Sequence, residues 1–200
     1  MIAEFGLRIA DGRTEPCSPF PKSAFRAPQC ELPMPIVFKG RVFSVEVETR
    51  RFPNGREHEV AIVRHPPAVV IIPIENDGGV VLIRQYRAAI DRELWEVPAG
   101  SVDPDESADA AARRECEEEI GRVPERVERL GSWYPTPGYC DEEMIFFRAT
   151  GLRAPAPDSP HKPDPDEDIT ARTFTIADAR AMVKRGEIVD LKTAYALTLI

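Results

Sequence analysis

Cysteine is sparse in this chain, with four in 200 residues, at positions 17, 30, 116 and 140. No pair has the C-x-x-C spacing of a zinc or redox site, and their scatter builds no disulfide framework. The expectation is a reduced protein without zinc. No apolar run approaches the ~20 residues that a membrane span requires. A basic excess is also missing, since 26 Lys and Arg face 34 Asp and Glu, for a net charge of −8. General nucleic-acid binders displace counterions with basic surface, so this balance argues against one. It leaves a small phosphate ligand open, because local cations and metal override the global sign. The N-terminus carries Glu4 and lacks a charged stretch leading into an apolar one, so no signal peptide is expected and the cytoplasm is the default compartment. No internal repeat is present.

What is there suits one domain with appendages, and 42% hydrophobic residues allow a sizeable core. Residues 1–35 hold six of the twenty prolines without periodicity. They read as an extended or poorly ordered arm. Val42–Arg51 alternates, Pro53-Asn54-Gly55 marks a turn, and Glu59–Arg64 runs back as a hairpin over 36–66. Ala68–Ile74 reads as a buried strand, with Pro73 ending its pairing. Asn76-Asp77-Gly78-Gly79 turns it into Val80–Tyr86 as a second hairpin. Trp95–Val97 is a short strand before a helix capped by Asp105 or Ser107 and closed by Gly121. Val127–Tyr134, Met144–Ala149 and Thr173–Thr175 read as strands. Ile176–Lys184 and Leu191–Leu199 read as helices. Pro155–Asp168 is expected from its composition to be a mobile acidic loop. Strands and helices mix without regular alternation, which points to an α+β fold or α/β/α layers over 67–200.

The chemistry concentrates on the first helix. Glu118 and Glu119 follow Glu115 by three and four residues, which sets the carboxylates side by side at about 5–6 Å between Cβ atoms. Like charges there repel by a few tenths of a kcal/mol per pair. A bound hard divalent cation, Mg²⁺ above all, relieves such a face with oxygen ligands. The bland alternative is a solvated acidic helix. Glu115 and Glu119 lie one turn apart and can share an ion. Glu118 is a further ligand or a partner of Arg114, and Glu106 is the other partner of Arg114. The carbonyl of Ala99, beside Gly100, can approach the same ion.

From Gly100 through Glu106, Arg114-Glu115 and Glu118-Glu119 to Gly121, the chain resembles the Nudix box, G-x5-E-x7-R-E-U-x-E-E-x-G-U, where U is a bulky apolar residue. Every charged and glycine position is matched. Cys116 and Arg122 stand at the two U positions that depart. Upstream, Arg84-Gln85-Tyr86-Arg87 and Glu93–Gly100 resemble the approach to the box in ADP-ribose pyrophosphatases of that superfamily. Pro137, sixteen residues beyond Gly121, matches their subfamily marker. Thr136–Glu142 resembles their S-P-G-x-x-[SD]-E loop, and Asp190–Thr193 their last helix. The likeness spans roughly residues 40–199.

This resemblance implies a Nudix α/β/α sandwich with a mixed sheet and an N-terminal hairpin that helps form a homodimer. It implies hydrolysis of ADP-ribose to AMP and ribose 5-phosphate with Mg²⁺, or Mn²⁺ in its place. Arg87 would contact the diphosphate, Pro137 would mark the substrate, and Glu96 would sit near the metal. Glu142 would be the general base, with Glu143 and the loop acids Asp164, Asp166, Glu167 and Asp168 as rivals. Trp95 would stack on a base or, more simply, belong to the core. The alternatives are hydrolysis of another nucleoside diphosphate sugar, such as GDP-mannose, or nucleotide sensing without cleavage.

Overall fold

The computed structural model describes residues 36–161 and 169–200. The expected arm over 1–35 and the acids Asp164, Asp166, Glu167 and Asp168 lie outside the described residues. Among the described residues, ten strands and three helices follow in order. They are β1 (Ile36–Lys39), β2 (Ser44–Arg51), β3 (Glu57–Arg64), β4 (Ala68–Pro73), β5 (Val80–Arg87), β6 (Arg92–Glu96), β7 (Ala99–Ser101), α1 (Ala108–Ile120), β8 (Val123–Trp133), β9 (Met144–Arg153), β10 (Thr170–Phe174), α2 (Ile176–Arg185) and α3 (Leu191–Ala196).

Three sheets form, with orders β1-β2-β3, β10-β5-β6 and β7-β4-β9-β8. The four-stranded sheet is mixed: β4 runs parallel to β9 and antiparallel to β7, and β8 is antiparallel to β9. β4 is buried along its whole length. Its residues alternate between two apolar clusters. Val70 and Ile72, with Val80, Leu82 and Phe146, pack against Ala179 and Met182 of α2 and Ala196 of α3. Val69 and Ile71, with Val81 and Phe147, pack against Ala111, Ala112 and Cys116 of α1. Helices therefore cover both faces, giving an α/β/α sandwich with mixed sheets. Each fully buried Val, Ile, Leu or Phe contributes about 1.5–3 kcal/mol. No helix among the described residues is long and apolar enough to cross a membrane.

Ala68–Ile74 and Val80–Tyr86 do not form a regular hairpin. Gly78, at φ +86°, closes the turn between them, and a single bridge joins Ile74 to Val80. The strands then enter different sheets. β4 and the first half of β5, Val80–Ile83, are apolar on two faces and buried in the middle of their sheets, so each needs a ladder partner along both edges. β4 finds β7 and β9, and β5 finds β6 and β10. Pro73 is the last paired residue of β4, opposite Ala149. β1 and β7 escape sequence reading. All four residues of β1 are exposed, and β7 is a three-residue strand held by pairing to Ala68–Val70.

Candidate active site

Ser107, not Asp105, caps α1, its hydroxyl accepting from the Ala110 N–H at 3.2 Å. Gly121 ends the helix at φ +62°, where side chains are strained. The Ala111–Ala112–Cys116 stripe is buried against the sheet. Burial, then Glu119 and Glu75, push the Cys116 thiol up to about 12, so it stays neutral and packs as a small hydrophobe. Arg122 lies against Glu75 at 3.8 Å and donates to the Gly121 carbonyl, both local packing contacts.

The carboxylate face of α1 meets β7. Glu119 accepts from the Ala99 N–H at 3.0 Å. Glu115 lies so close to Gly100 that a Cβ on Gly100 would meet its carboxylate at 2.0–2.5 Å. Only glycine leaves room for that carboxylate. Arg114 ties the cluster together. Its guanidinium donates to both oxygens of Glu106 at 3.1 and 2.9 Å, to Glu115 at 2.7 Å, to Glu118 at 3.0 Å and to the Ser101 carbonyl at 3.0 Å. The hydrogen bond to Glu106 is the main cause holding Arg114 charged, and the same bond holds the Glu106 carboxyl below its ordinary value. Both expected partners of Arg114 are therefore engaged at once.

Glu115, Glu118 and Glu119 carry the oxygen donors that a hard divalent cation takes, and Gly100 leaves room beside it for the Glu115 carboxylate. Among the described residues, no group of three or more His, Cys, Asp or Glu is already gathered at ligand spacing. His161 Nδ1 stands 3.7 Å from Glu118.

Beside this face opens a cleft of about 370 Å³, lined in part by Arg87, Glu96, Ala99, Gly100, Glu142 and Lys192. Five of the residues singled out from sequence, Arg87, Glu96, Ala99, Gly100 and Glu142, meet there. The Glu96 side chain, 1% exposed, accepts two bonds from Arg87 at 2.8 and 2.7 Å and another from Lys192. Burial works against its charge, but Arg87 and Lys192 outweigh it and hold the carboxyl below the ordinary value of 4.5. Lys192 also donates to Asp190 at 3.0 Å. Asp190 caps α3 through the Thr193 N–H, and the Thr193 hydroxyl accepts from the Val97 N–H at 2.8 Å.

This pairing has a pH signature. A carboxyl lowered by folding contributes stability above its ordinary value and loses it as pH falls through the folded value. Glu96→Gln is expected to unfold at lower urea than wild type at pH 7, with the gap narrowing below pH 4.5. Urea midpoints across pH 3–7 read it, and a gap independent of pH would deny the pair its role.

Pro137 is exposed in the turn after Thr136 and is not among the residues lining the cleft. Glu142 reaches the cleft, with its carboxylate 3.9 Å from His65 Nδ1. Glu143 faces Arg129 instead, at 4.0 Å. Trp95 is half-buried, packs edge-on to Phe174 at 5.1 Å between centroids and lies under Arg84, which is the core reading. Sequence reasoning missed Lys192 and His65. The Asp190–Thr193 motif flagged the neighbourhood of Lys192, but nothing local marks a lysine for a glutamate 96 residues away.

A family model described as NUDIX domain matches residues 64–194. An ADP-ribose pyrophosphatase of Bacillus subtilis (strain 168) is 32% identical over 161 residues, covering 80% of this chain and 86% of the relative. A methanol dehydrogenase activator of Bacillus methanolicus is 35% identical over the same length and shares. A crystal structure of an ADP compounds hydrolase superposes with a TM-score of 0.71 at 25% identity, covering 84% of this chain and 89% of that one.

Proposed function

This chain belongs to the NUDIX domain family, and on that premise we propose that it hydrolyses the diphosphate of ADP-ribose to AMP and ribose 5-phosphate. The observation that carries the reading is the meeting of the Glu115 and Glu119 carboxylates with Gly100 and Ala99 at the edge of a cleft that also holds Arg87 and Glu142. The ADP-ribose pyrophosphatase relative and the ADP compounds hydrolase neighbour support the choice of substrate.

Glu115, Glu118, Glu119 and the backbone of Ala99 would hold the divalent cation, Mg²⁺ first and Mn²⁺ second. When bound, such an ion offsets the negative charge of the diphosphate. Arg87 and Lys192 supply positive charge on the cleft wall for the phosphate oxygens. Glu96 acts through them by fixing where their charges stand. Glu142 takes the proton of the attacking water. The water oxygen bonds to one phosphorus, the bridging P–O bond breaks, and the second phosphate leaves with the bridging oxygen. Pro137 shapes the turn that delivers this loop. The β1-β2-β3 sheet, with Ile36, Val37, Phe38 and Phe43 exposed, is the surface we assign to a homodimer. The sparse, unpatterned cysteines favour the cytoplasm.

The test is AMP release from ADP-ribose by the purified chain with Mg²⁺, its mass read by light scattering in the same buffer. A dimer that releases AMP is expected. A folded, Mg²⁺-supplied sample without AMP release sinks the activity, and a monomer mass removes the dimer. A panel including GDP-mannose ranks substrates by kcat/KM. Preference for GDP-mannose would move the assignment to another nucleoside diphosphate sugar.

A further inference from the structure

The loop that carries Glu142 is fastened by backbone bonds to the end of β3 and the start of β4. The Val63 N–H donates to the Tyr139 carbonyl at 2.8 Å, the Asp141 N–H to the Val63 carbonyl at 3.2 Å, and the Ala68 N–H to the Glu143 carbonyl at 2.9 Å. Between these backbone bonds sits one side chain. Asp141 Oδ1 accepts from the His65 N–H at 2.9 Å, and its Oδ2 accepts from Arg64 Nη1 at 3.1 Å. Arg64 is itself held from β2, donating from Nε to Glu46 at 2.8 Å and from Nη2 to Glu48 at 3.4 Å. The Glu48 side chain is 7% exposed, so this end of the chain of contacts is buried.

We propose that Asp141 is a positioning residue for Glu142, and that Arg64, set by Glu46 and Glu48, makes the N-terminal sheet part of the catalytic apparatus through it. Both carboxylate oxygens of Asp141 are engaged by groups from consecutive residues, 64 and 65. That two-point grip fixes rotation of the loop as well as its distance. The next residue, Glu142, then lines the cleft beside His65. A backbone ladder alone leaves the loop free to twist about its hydrogen bonds. Burial raises the Asp141 carboxyl, but the His65 N–H and Arg64 outweigh it, so Asp141 stays ionised as the grip requires. Glu46 is the first cause holding Arg64 charged.

The inference rests on Glu142 acting as general base in the proposed hydrolase, and a double-mutant cycle separates the two. Asp141→Ala is expected to lower kcat about tenfold with KM little changed, as a misplaced catalytic group does. Asp141→Asn keeps an acceptor for the His65 N–H and should recover part of that loss. On a Glu142→Gln background, Asp141→Ala should cost nothing further, since the group it positions is gone. Asp141 is half-exposed, so Asp141→Ala should fold, and circular dichroism checks this. If Glu142→Gln slows turnover while Asp141→Ala does not, the positioning role falls and the hydrolase reading stands. If the two losses multiply in the double variant, Asp141 acts elsewhere and the inference is overturned. If Glu142→Gln leaves kcat intact, both the base assignment and the inference fall.

Discussion

Glu115→Gln is expected to lower kcat for ADP-ribose on the order of a thousandfold, while the protein stays folded. The amide keeps the size of the side chain and can still accept from Arg114, so the 2.7 Å contact survives. What goes is a negative charge on the face that would hold the cation, and electrostatic groups aimed at developing charge are typically worth about 10²–10³ in rate. Stability should change little, because relief of the repulsion from Glu118 and Glu119, a few tenths of a kcal/mol per pair, offsets the weaker attraction to Arg114. Loss of rate without loss of stability separates a ligand from a structural residue. Steady-state kinetics and Mg²⁺ titration calorimetry on the same samples read both. A variant as fast as wild type would remove Glu115 from the metal site. Absence of turnover in the wild type, with nucleotide still bound, would favour a sensor.

Gly100→Ala should abolish most activity, by at least about a hundredfold, through one methyl group. Its carbon would fall 2.0 Å from Oε1 and 2.1 Å from Cδ of Glu115. The carboxylate must leave its place. It is the far end of a flexible side chain, so it leaves by χ rotation without tearing the core, and Tm should shift only slightly. The cost falls on geometry, where a displacement of about 1 Å is worth roughly 10²-fold. Activity measured beside thermal unfolding tests the split. Normal activity would show that the carboxylate is not needed at that spot. A collapse of Tm would show that Gly100 serves the fold instead.

These two variants address the part of the site that could be read from the chain alone. Gly100, Glu106, Arg114, Glu115, Glu118, Glu119 and Gly121 lie within 22 residues, and the capped helix α1 turns the spacing of Arg114, Glu115, Glu118 and Glu119 directly into neighbouring positions. The continuous apolar, β-branched run of β4 likewise signalled a buried strand. The partners of β4 and β5 were not legible, since an apolar strand reports that it is buried and not which edge it meets. The short β7 had no period to find.

An acidic helix face following Gly100 is legible in the chain alone, together with the longer strands and helices around it. Local spacing suffices for that, because hydrogen bonds within a helix and alternation along a strand act over a few residues. Only the tertiary structure decided that Lys192, 96 residues from Glu96, joins Arg87 on one buried carboxylate. Only it decided that Arg64 reaches Asp141 across 77 residues. Both contacts form where distant segments are brought together by burial of β4 and β5, and hydrophobic burial is non-directional. It carries no local mark of which charges it will leave side by side.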